Sequence, residues 1–242
     1  MAHLQCIFYS KALEMDTCVN VILPNEGDMS KTRVVFLLHG LSDNYSAWCR
    51  YTHVERYALA ANVAVVMPEV QRSFYCDTVS GMAYFRYISQ ELPEMCSHFF
   101  RLPTDPSLSY IMGLSMGGFG ALKCALNNPD RYAGCGSFSG ALRMDSEVLR
   151  TVLKQEELDA LIGQGRQAEG ENDLLSLTSM ADRLPPIYLS CGEQDRLYPM
   201  TVEFAAHLEK LGATHRFDHR PGTHNWDFWD QSLKDCFAYL FA

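Results

Sequence analysis

Residues 113–117 read G-L-S-M-G and match the pattern G-x-S-x-G, in which a serine hydroxyl can act as a nucleophile. They directly follow a predicted strand at residues 109–112 and directly precede a predicted helix at residues 117–127. Side chains at the two glycine positions would collide on such a cramped turn, and the helix N-terminus favours negative charge close by. The pattern predicts acyl-transfer chemistry with Ser115 as the nucleophile. The alternative is a Ser/Gly turn that merely links strand to helix.

A serine nucleophile needs a base, and the base needs an acid to orient it. In this context the expected chain order is Ser, then Asp or Glu, then His, each beyond the C-terminal end of a strand. Asp195 ends the turn after the predicted strand at residues 187–191, which makes it the predicted acid. Glu193 in the same turn and Asp182 before the strand are its rivals. An ordinary turn residue is the other interpretation of Asp195.

The predicted base is His224, in the loop between the last predicted strand and the last predicted helix. The other histidines fit less well, because two precede the nucleophile, two fall on predicted helices and two fall within a predicted strand: His3, His53, His98, His207, His215 and His219. His39 follows the first central strand, and we expect it to order its loop by hydrogen bonding rather than to take part in chemistry.

The loop that begins His39-Gly40-Leu41 is the expected source of one oxyanion-hole donor. The residue after the nucleophile supplies the other donor in this arrangement. The predicted oxyanion hole therefore consists of the backbone N–H groups of Leu41 and Met116, and Gly40 permits the backbone turn.

Aromatic side chains are candidates for lining a substrate pocket, although in such a chain most aromatics belong to the core. The candidates are Trp48, Tyr75 and Trp226, together with Phe85 and Trp229. The loop at residues 68–80 follows a strand on the expected active-site edge and carries Arg72, Tyr75 and Asp77.

The elements that must hold these residues alternate between strands and helices. Continuous apolar runs at residues 34–38 and 63–67 are typical of parallel strands covered on both faces. Further strands are predicted at residues 3–10, 17–23, 134–139 and 214–220, and helices at residues 54–61, 82–100, 201–211 and 226–241. This alternation predicts a single α/β domain over residues 1–242, with a mostly parallel sheet and helices on both faces. Residues 141–184 lack strand character and are interpreted as a short helical insertion near the active site.

Composition excludes several classes of protein. The chain has 242 residues, 48% of them hydrophobic, and a formal net charge of −9, which disfavours nucleic acid as a partner. No apolar stretch approaches the roughly 20 residues of a membrane span, and the N-terminus shows no secretory signal. Nine cysteines form no CxxC pair, so we expect free thiols and a cytoplasmic location. A homo-oligomer is left open.

Several strings in the sequence resemble the esterase D-like esterase family of the α/β-hydrolase superfamily. They are L-L-H-G-L-S-D-N, N-V-A-V-V-M-P, G-L-S-M-G-G-F-G-A-L-K, F-S-G-A-L and G-x-H-N-W-D-F-W, and the resemblance spans roughly residues 34–228. The chain looks most like the short tributyrin and acetyl esterases of bacteria. The resemblance implies an α/β-hydrolase fold, hydrolysis of small acetyl to butyryl esters, no metal or cofactor, and the same triad and oxyanion residues.

Three alternatives remain beside a short-chain esterase. S-formylglutathione hydrolases of the family typically carry His where Leu114 stands, in a longer chain. Feruloyl esterases tend to carry a cap over the site, a role that residues 141–184 could serve. A non-catalytic binding protein is disfavoured, because all three triad positions carry competent residues.

Overall fold

The computed structural model describes residues 1–163 and 169–241, and its strands form one eight-stranded sheet in the order β1-β2-β4-β3-β5-β6-β7-β8. Strands β1 and β2 pair antiparallel, as do β2 and β4, and all other neighbours are parallel. The strands are β1 Ala2–Ser10, β2 Met15–Leu23, β3 Arg33–Leu38, β4 Val63–Pro68, β5 Ser109–Leu114, β6 Gly134–Phe138, β7 Ile187–Gly192 and β8 His215–Arg220. The predicted mostly parallel sheet is confirmed.

Helices lie on both faces of this sheet. They are α1 Ala47–Tyr51, α2 Val54–Ala61, α3 Tyr84–Arg86, α4 Leu92–Phe100, α5 Met116–Asn127, α6 Glu147–Val152, α7 Gln155–Ile162, α8 Leu174–Met180, α9 Tyr198–Lys210 and α10 Trp226–Leu240. A π-helical turn at Tyr87–Glu91 joins α3 to α4, and short 3₁₀ turns occur at Met29–Lys31, Pro106–Leu108, Pro129–Arg131 and Gly170–Asn172. The helix predicted over residues 82–100 is therefore one continuous helical stretch over residues 84–100 with a π-helical turn inside it.

The central strands are apolar on both faces because each face is covered by helices. Along β3, Val34 and Phe36 belong to one core cluster while Val35 and Leu37 belong to the other. Helices α4, α5, α8 and α9 contribute to the first cluster, and α2 and α10 to the second. This two-sided burial fixes the positions of the strand ends, and the residues of the predicted triad follow those ends.

The segment predicted as a helical insertion contains α6, α7 and α8. Residues 164–168, including Arg166, lie outside the described part of the chain. Among the helices that are described, none combines the length and the apolar character that crossing a bilayer requires.

Candidate active site

Ser115 lies at the junction of β5 and α5. Its backbone has φ +52° and ψ −116°, a conformation that residues other than glycine rarely adopt. Two glycines make this turn feasible. A Cβ atom at Gly113 would meet the carbonyl group of Gly117, and one at Gly117 would meet the carbonyl group of Leu38. The Ser115 N–H donates to the carbonyl oxygen of Phe138 at 2.8 Å, which anchors the strained residue.

The structure brings together the three residues expected to form a triad. Nε2 of His224 lies 3.0 Å from Oγ of Ser115, and Nδ1 of His224 lies 2.8 Å from Oδ2 of Asp195. The Asp195 side chain is fully buried, whereas 21% of the His224 side chain is exposed. The rival Glu193 is directed elsewhere, 3.2 Å from Nδ1 of His219. These distances suit a nucleophile, a base and an orienting acid.

Electrostatics at Asp195 favour the charged form. Burial alone would raise the pKa of Asp195, but hydrogen bonds from His224, Leu197 and Ser139, with the attraction of His224, hold it below its usual value. The Leu197 N–H donates to Oδ1 at 2.9 Å. An ionised Asp195 accepts a hydrogen bond from Nδ1–H of His224, so the lone pair of Nε2 faces the Ser115 hydroxyl.

Of the two predicted oxyanion residues, one follows the nucleophile in the chain and the other lines the same cleft. Met116 is the first residue of α5, and the Ser115 side chain does not cap that helix, so the N–H of Met116 is one of the first helical N–H groups, which lack an acceptor within the helix. Leu41 lies in the loop after β3 and lines the cleft. A Cβ atom at Gly40 would lie 2.7 Å from both Leu114 and Asp43, which explains why glycine stands there.

His39 orders this loop, as expected. Its buried ring donates from Nδ1 to the carbonyl oxygen of Gly40 at 2.8 Å and accepts at Nε2 from the N–H of Val70 at 3.2 Å. Burial lowers the pKa of His39, and the opposing pull of Glu69 is weaker. The ring is therefore neutral and ties the loop after β3 to the loop after β4.

Comparison with known proteins agrees with this geometry. The model of the family described as "Putative esterase" matches residues 10–240 of the chain. The chain belongs to this esterase family. It is 26% identical to the acetyl esterase of Caldicellulosiruptor saccharolyticus over an alignment of 273 positions. The alignment covers 99% of this chain and 98% of that relative.

Solved structures place the esterase among the serine hydrolases. The fluorophosphonate-binding serine hydrolase FphF of Staphylococcus aureus is 29% identical, with a TM-score of 0.90 over 100% of this chain and 98% of that one. The S-formylglutathione hydrolase FrmB of Staphylococcus aureus is 28% identical, with a TM-score of 0.89 over 100% and 99% of the two chains. The esterase thus has the α/β-hydrolase fold and is a serine hydrolase acting on carboxylic ester bonds.

A cleft of about 570 Å³ opens above the nucleophile of the esterase. Its floor contains Ser115 and His224, and one wall is formed by α6 of the insertion. The residues of α6 in the lining are Val148, Leu149 and Val152. The other lining residues include Leu41, Ser42, Asp43, Arg72, Phe74, Leu114, Arg196, Leu197, Asn225, Trp226 and Trp229. Of the predicted pocket aromatics, Trp226 and Trp229 lie in this lining.

Two predicted pocket residues of the esterase are in the core instead, so those predictions are wrong. Trp48 is fully buried, donates its indole N–H to the carbonyl oxygen of Leu38 at 3.1 Å and supports Trp226 edge-to-face at 5.2 Å. Tyr75 is fully buried and donates its hydroxyl to the carbonyl oxygen of His39 at 2.9 Å. In both cases the polar group of the side chain donates a hydrogen bond to a buried backbone carbonyl, so the whole ring can be buried.

Phe85, the remaining predicted pocket aromatic, also lies outside the cleft lining, so that prediction is wrong as well; its ring centroid is 4.5 Å from the ammonium nitrogen of Lys123. Other residues line the cleft although sequence patterns did not single them out. Val148 and Val152 on α6 line the cleft. The only sequence feature that could have predicted this is the amphipathic pattern of that short helix. Arg196, next to the acid in sequence, also lines the cleft.

One cluster in the described part of the esterase brings potential metal ligands together, with His3, Cys49 and Glu55 offering atoms within 4.8 Å of one another. These residues lie outside the cleft lining. Burial, with the nearby Glu55 charge, raises the pKa of Cys49 to about 11. A thiol that keeps its proton is a poor metal ligand. Catalysis without a metal or cofactor stays a prediction.

Proposed function

We propose that the esterase hydrolyses short-chain acyl esters, acetyl to butyryl, through Ser115, His224 and Asp195 and an acyl-enzyme intermediate. The observation that carries this proposal is the 3.0 Å separation of Ser115 Oγ and His224 Nε2 on a strained strand-to-helix turn. A hydroxyl and a base at this distance can exchange a proton as the hydroxyl oxygen attacks.

The reaction proceeds in two halves. Ser115 Oγ attacks the ester carbonyl while its proton passes to His224 Nε2, and the N–H groups of Leu41 and Met116 stabilise the negative oxygen of the tetrahedral intermediate. The intermediate collapses as His224 protonates the departing alcohol, leaving the acyl group on Ser115. Water then gives a proton to His224 and attacks the acyl-enzyme, and collapse releases the carboxylic acid and restores the serine.

The small acyl group is inferred from the walls of the cleft. Val148, Leu149 and Val152 of α6 line the cleft, and in this proposal they limit the length of the acyl group on that side. The relative named acetyl esterase matches nearly the whole chain, which supports a small acyl group. In this proposal residues 141–184 belong to the same single domain, and α6 serves as a fixed wall of the cleft. A cytoplasmic location stays a prediction, and all nine cysteines are free in the structure.

A thioester is the second candidate substrate. The same triad cleaves thioesters, and the 28% identity to an S-formylglutathione hydrolase favours this alternative. A cinnamoyl ester is a third. Rates on 4-nitrophenyl acetate, an S-acylated glutathione and methyl ferulate, measured as kcat/KM in one buffer, separate the three. The proposal expects the acetate to lead; a higher value for either of the others would reassign the substrate.

The decisive experiment on the machinery is Ser115→Ala. Loss of a triad member lowers the rate on the order of 10⁴- to 10⁶-fold, and the folded state should persist because the hydroxyl carries little packing. Labelling with a fluorophosphonate, located by mass spectrometry, should modify Ser115 in the wild type and vanish in the variant. Ser97→Ala on α4 is the matched control and should behave as wild type. A Ser115→Ala enzyme with more than about a tenth of the wild-type kcat would refute the assignment.

A further inference from the structure

The charge of the cleft lining is opposite in sign to that of the whole chain, whose formal net charge is −9. Among the described residues, the charged side chains that line the cleft outside the triad are Arg72, Arg196 and Asp43. Burial raises the pKa of Asp43, so the one carboxylate of this set is the less readily charged. A locally positive cleft in an acidic protein attracts anionic ligands and repels cationic ones.

The two guanidinium groups of the lining differ in their partners. Arg72 makes two hydrogen bonds to Glu157, of 2.6 and 3.2 Å, and that carboxylate neutralises its charge. Arg196 is exposed, and no ion pair joins its side chain to another residue that the structure describes. Its backbone is held in place, because the N–H of the next residue, Leu197, donates to Oδ1 of Asp195 at 2.9 Å. Arg196 therefore offers the N–H donors of its guanidinium to a ligand from a fixed position on the cleft.

A second donor in the same lining is the indole N–H of Trp226. Unlike the indoles of Trp48 and Trp229, it has no hydrogen-bond acceptor within the part of the chain that the structure describes. Edge-to-face packing holds the half-buried ring of Trp226, at 5.2 Å from Trp48 and 5.3 Å from Trp229. Guanidinium and indole N–H groups can only donate hydrogen bonds. A carboxylate suits both, because it accepts hydrogen bonds and carries the charge complementary to Arg196.

The position of Arg196 in the chain indicates which half of the substrate it meets. Arg196 directly follows Asp195, and Oδ2 of Asp195 lies 2.8 Å from Nδ1 of His224. In the proposed mechanism His224 protonates the departing alcohol, so the alcohol part of the ester lies on the side of the base. Trp226 follows the base by two residues, whereas α6 lines the cleft where the acyl part is proposed to bind. Both donors therefore belong to the half of the cleft that receives the alcohol.

We propose that Arg196 is a specificity-determining residue of the esterase, which favours esters whose alcohol part carries a carboxylate. The proposal rests on the proposed function, since the triad must cleave the ester that Arg196 selects. The planar guanidinium holds a carboxylate through two parallel hydrogen bonds, and the indole N–H of Trp226 is a further donor on the same side. Because Arg196 is exposed, water and salt screen this ion pair, and its contribution to selectivity is a few-fold.

The test compares 4-acetoxybenzoate with 4-acetoxybenzamide, which share the acetyl group and the aromatic ring and differ in one charge. The measured quantity is the ratio of kcat/KM for the benzoate to kcat/KM for the benzamide. Arg196→Gln should lower this ratio roughly threefold to fivefold relative to wild type, as expected for an exposed ion pair. The loss should appear mainly as a higher KM for the benzoate. The different reactivities of the two esters cancel, because both enzymes are given the same pair.

Further measurements separate recognition of charge from a general effect. Arg56→Gln is the matched control, because Arg56 is exposed on α2 outside the cleft lining, and it should leave the ratio as in wild type. Arg196→Lys keeps the charge without the planar fork and should give a ratio between those of wild type and Arg196→Gln. Raising NaCl from about 0.02 M to about 0.5 M should lower the ratio in wild type and leave it unchanged in Arg196→Gln.

A second pair of substrates tests which half of the ester Arg196 meets. Mono(4-nitrophenyl) succinate carries a carboxylate on its acyl part, and 4-nitrophenyl butyrate is its neutral counterpart. The ratio of kcat/KM for this pair should be the same in Arg196→Gln as in wild type, because Arg196 is proposed to bind the alcohol part.

The inference is overturned if Arg196→Gln keeps the benzoate-to-benzamide ratio within about 1.5-fold of wild type, or if the wild type cleaves the benzamide and not the benzoate. It is also overturned if Arg56→Gln lowers the ratio equally, because net charge would then explain the effect, or if only the succinate pair responds. Failure of the proposed function is distinguishable, since it would appear as retained cleavage of both acetates in Ser115→Ala, whatever the Arg196 variants do.

Discussion

The ammonium group of Lys123, fully buried on the helix that begins after the nucleophile, lies 2.9 Å from the carboxylate of Glu171 in the insertion. The same ammonium donates to Oδ1 of Asn172 at 2.8 Å. On the cleft side, Arg72 meets Glu157 through two hydrogen bonds of 2.6 and 3.2 Å. Two ion pairs therefore fix the insertion relative to the nucleophile helix and the loop after β4.

Lys123→Met should weaken this attachment. The change leaves the Asn172 and Glu171 oxygens without their buried donor, and we expect the free energy of unfolding to fall by about 1–3 kcal/mol. Because the insertion carries a wall of the cleft, KM should rise more than kcat falls. Lys210→Met on the exposed end of α9 is the control, with a change within about 0.5 kcal/mol. Urea denaturation and steady-state kinetics measure both effects. An unchanged denaturation midpoint for Lys123→Met would contradict this prediction.

Asp195→Asn should slow the esterase by roughly 10⁴ in kcat while leaving its folding nearly intact. The amide can donate to Nδ1 of His224, which favours the wrong tautomer and removes the lone pair facing Ser115. Glu193→Gln is the matched control, because Glu193 pairs with the exposed His219 instead. Turnover of 4-nitrophenyl acetate compares the two variants. If Glu193→Gln were the damaging change, the acid would have to be reassigned.

Much of the fold follows from patterns along the chain. Runs such as that of β4 are apolar at every position, which is a one-dimensional sign of two-sided burial. The triad candidates were identifiable because sites in parallel sheets form where strands end, and strand ends can be read from the sequence. Ser115, Asp195 and His224 each follow such an end, and the structure brings them together.

The remaining features depend on packing that no linear pattern carries. Trp48 and Trp226 form one edge-to-face pair, yet only Trp226 reaches the cleft. The side chain of Tyr75 occupies space that a Cβ atom at Gly120 would take, a contact between distant segments. Ser139 adopts a left-handed backbone conformation that its residue type disfavours, and no pattern of residue types predicts that conformation.

The neutral ring of His39 should make stability depend on pH. Burial lowers its pKa from the ordinary 6.5, so below that pH the unfolded chain takes up a proton that the folded protein refuses. The stabilisation is therefore complete above about pH 6.5 and is lost as the pH falls, by at most about 1.4 kcal/mol per pH unit. His39→Gln keeps an acceptor for Val70 without titrating, so urea denaturation from pH 7.5 to 5 should show a shallower decline. Equal slopes for both proteins would disprove the neutral ring.

Acyl-chain preference should be set by the wall that α6 places on the cleft. Each methylene buried in a fitted pocket contributes about 0.8 kcal/mol, or roughly a fourfold gain in kcat/KM, until the pocket is full. We expect kcat/KM on 4-nitrophenyl esters to peak between acetyl and butyryl and to fall beyond, since longer chains must displace Val148 or Val152. Val148→Ala should move the peak toward longer chains, because it removes atoms from the wall.

Val202→Ala supplies the matched control for this series, since Val202 lies exposed on α9 away from the cleft lining. It should leave both the peak and the rates as in wild type. The charged surface of the insertion argues against a lid that opens on lipid, because an interfacial helix needs a broad apolar face. Wild-type rates that kept climbing through octanoyl and decanoyl esters, or that jumped on adding a lipid interface, would show that α6 does not close the acyl pocket.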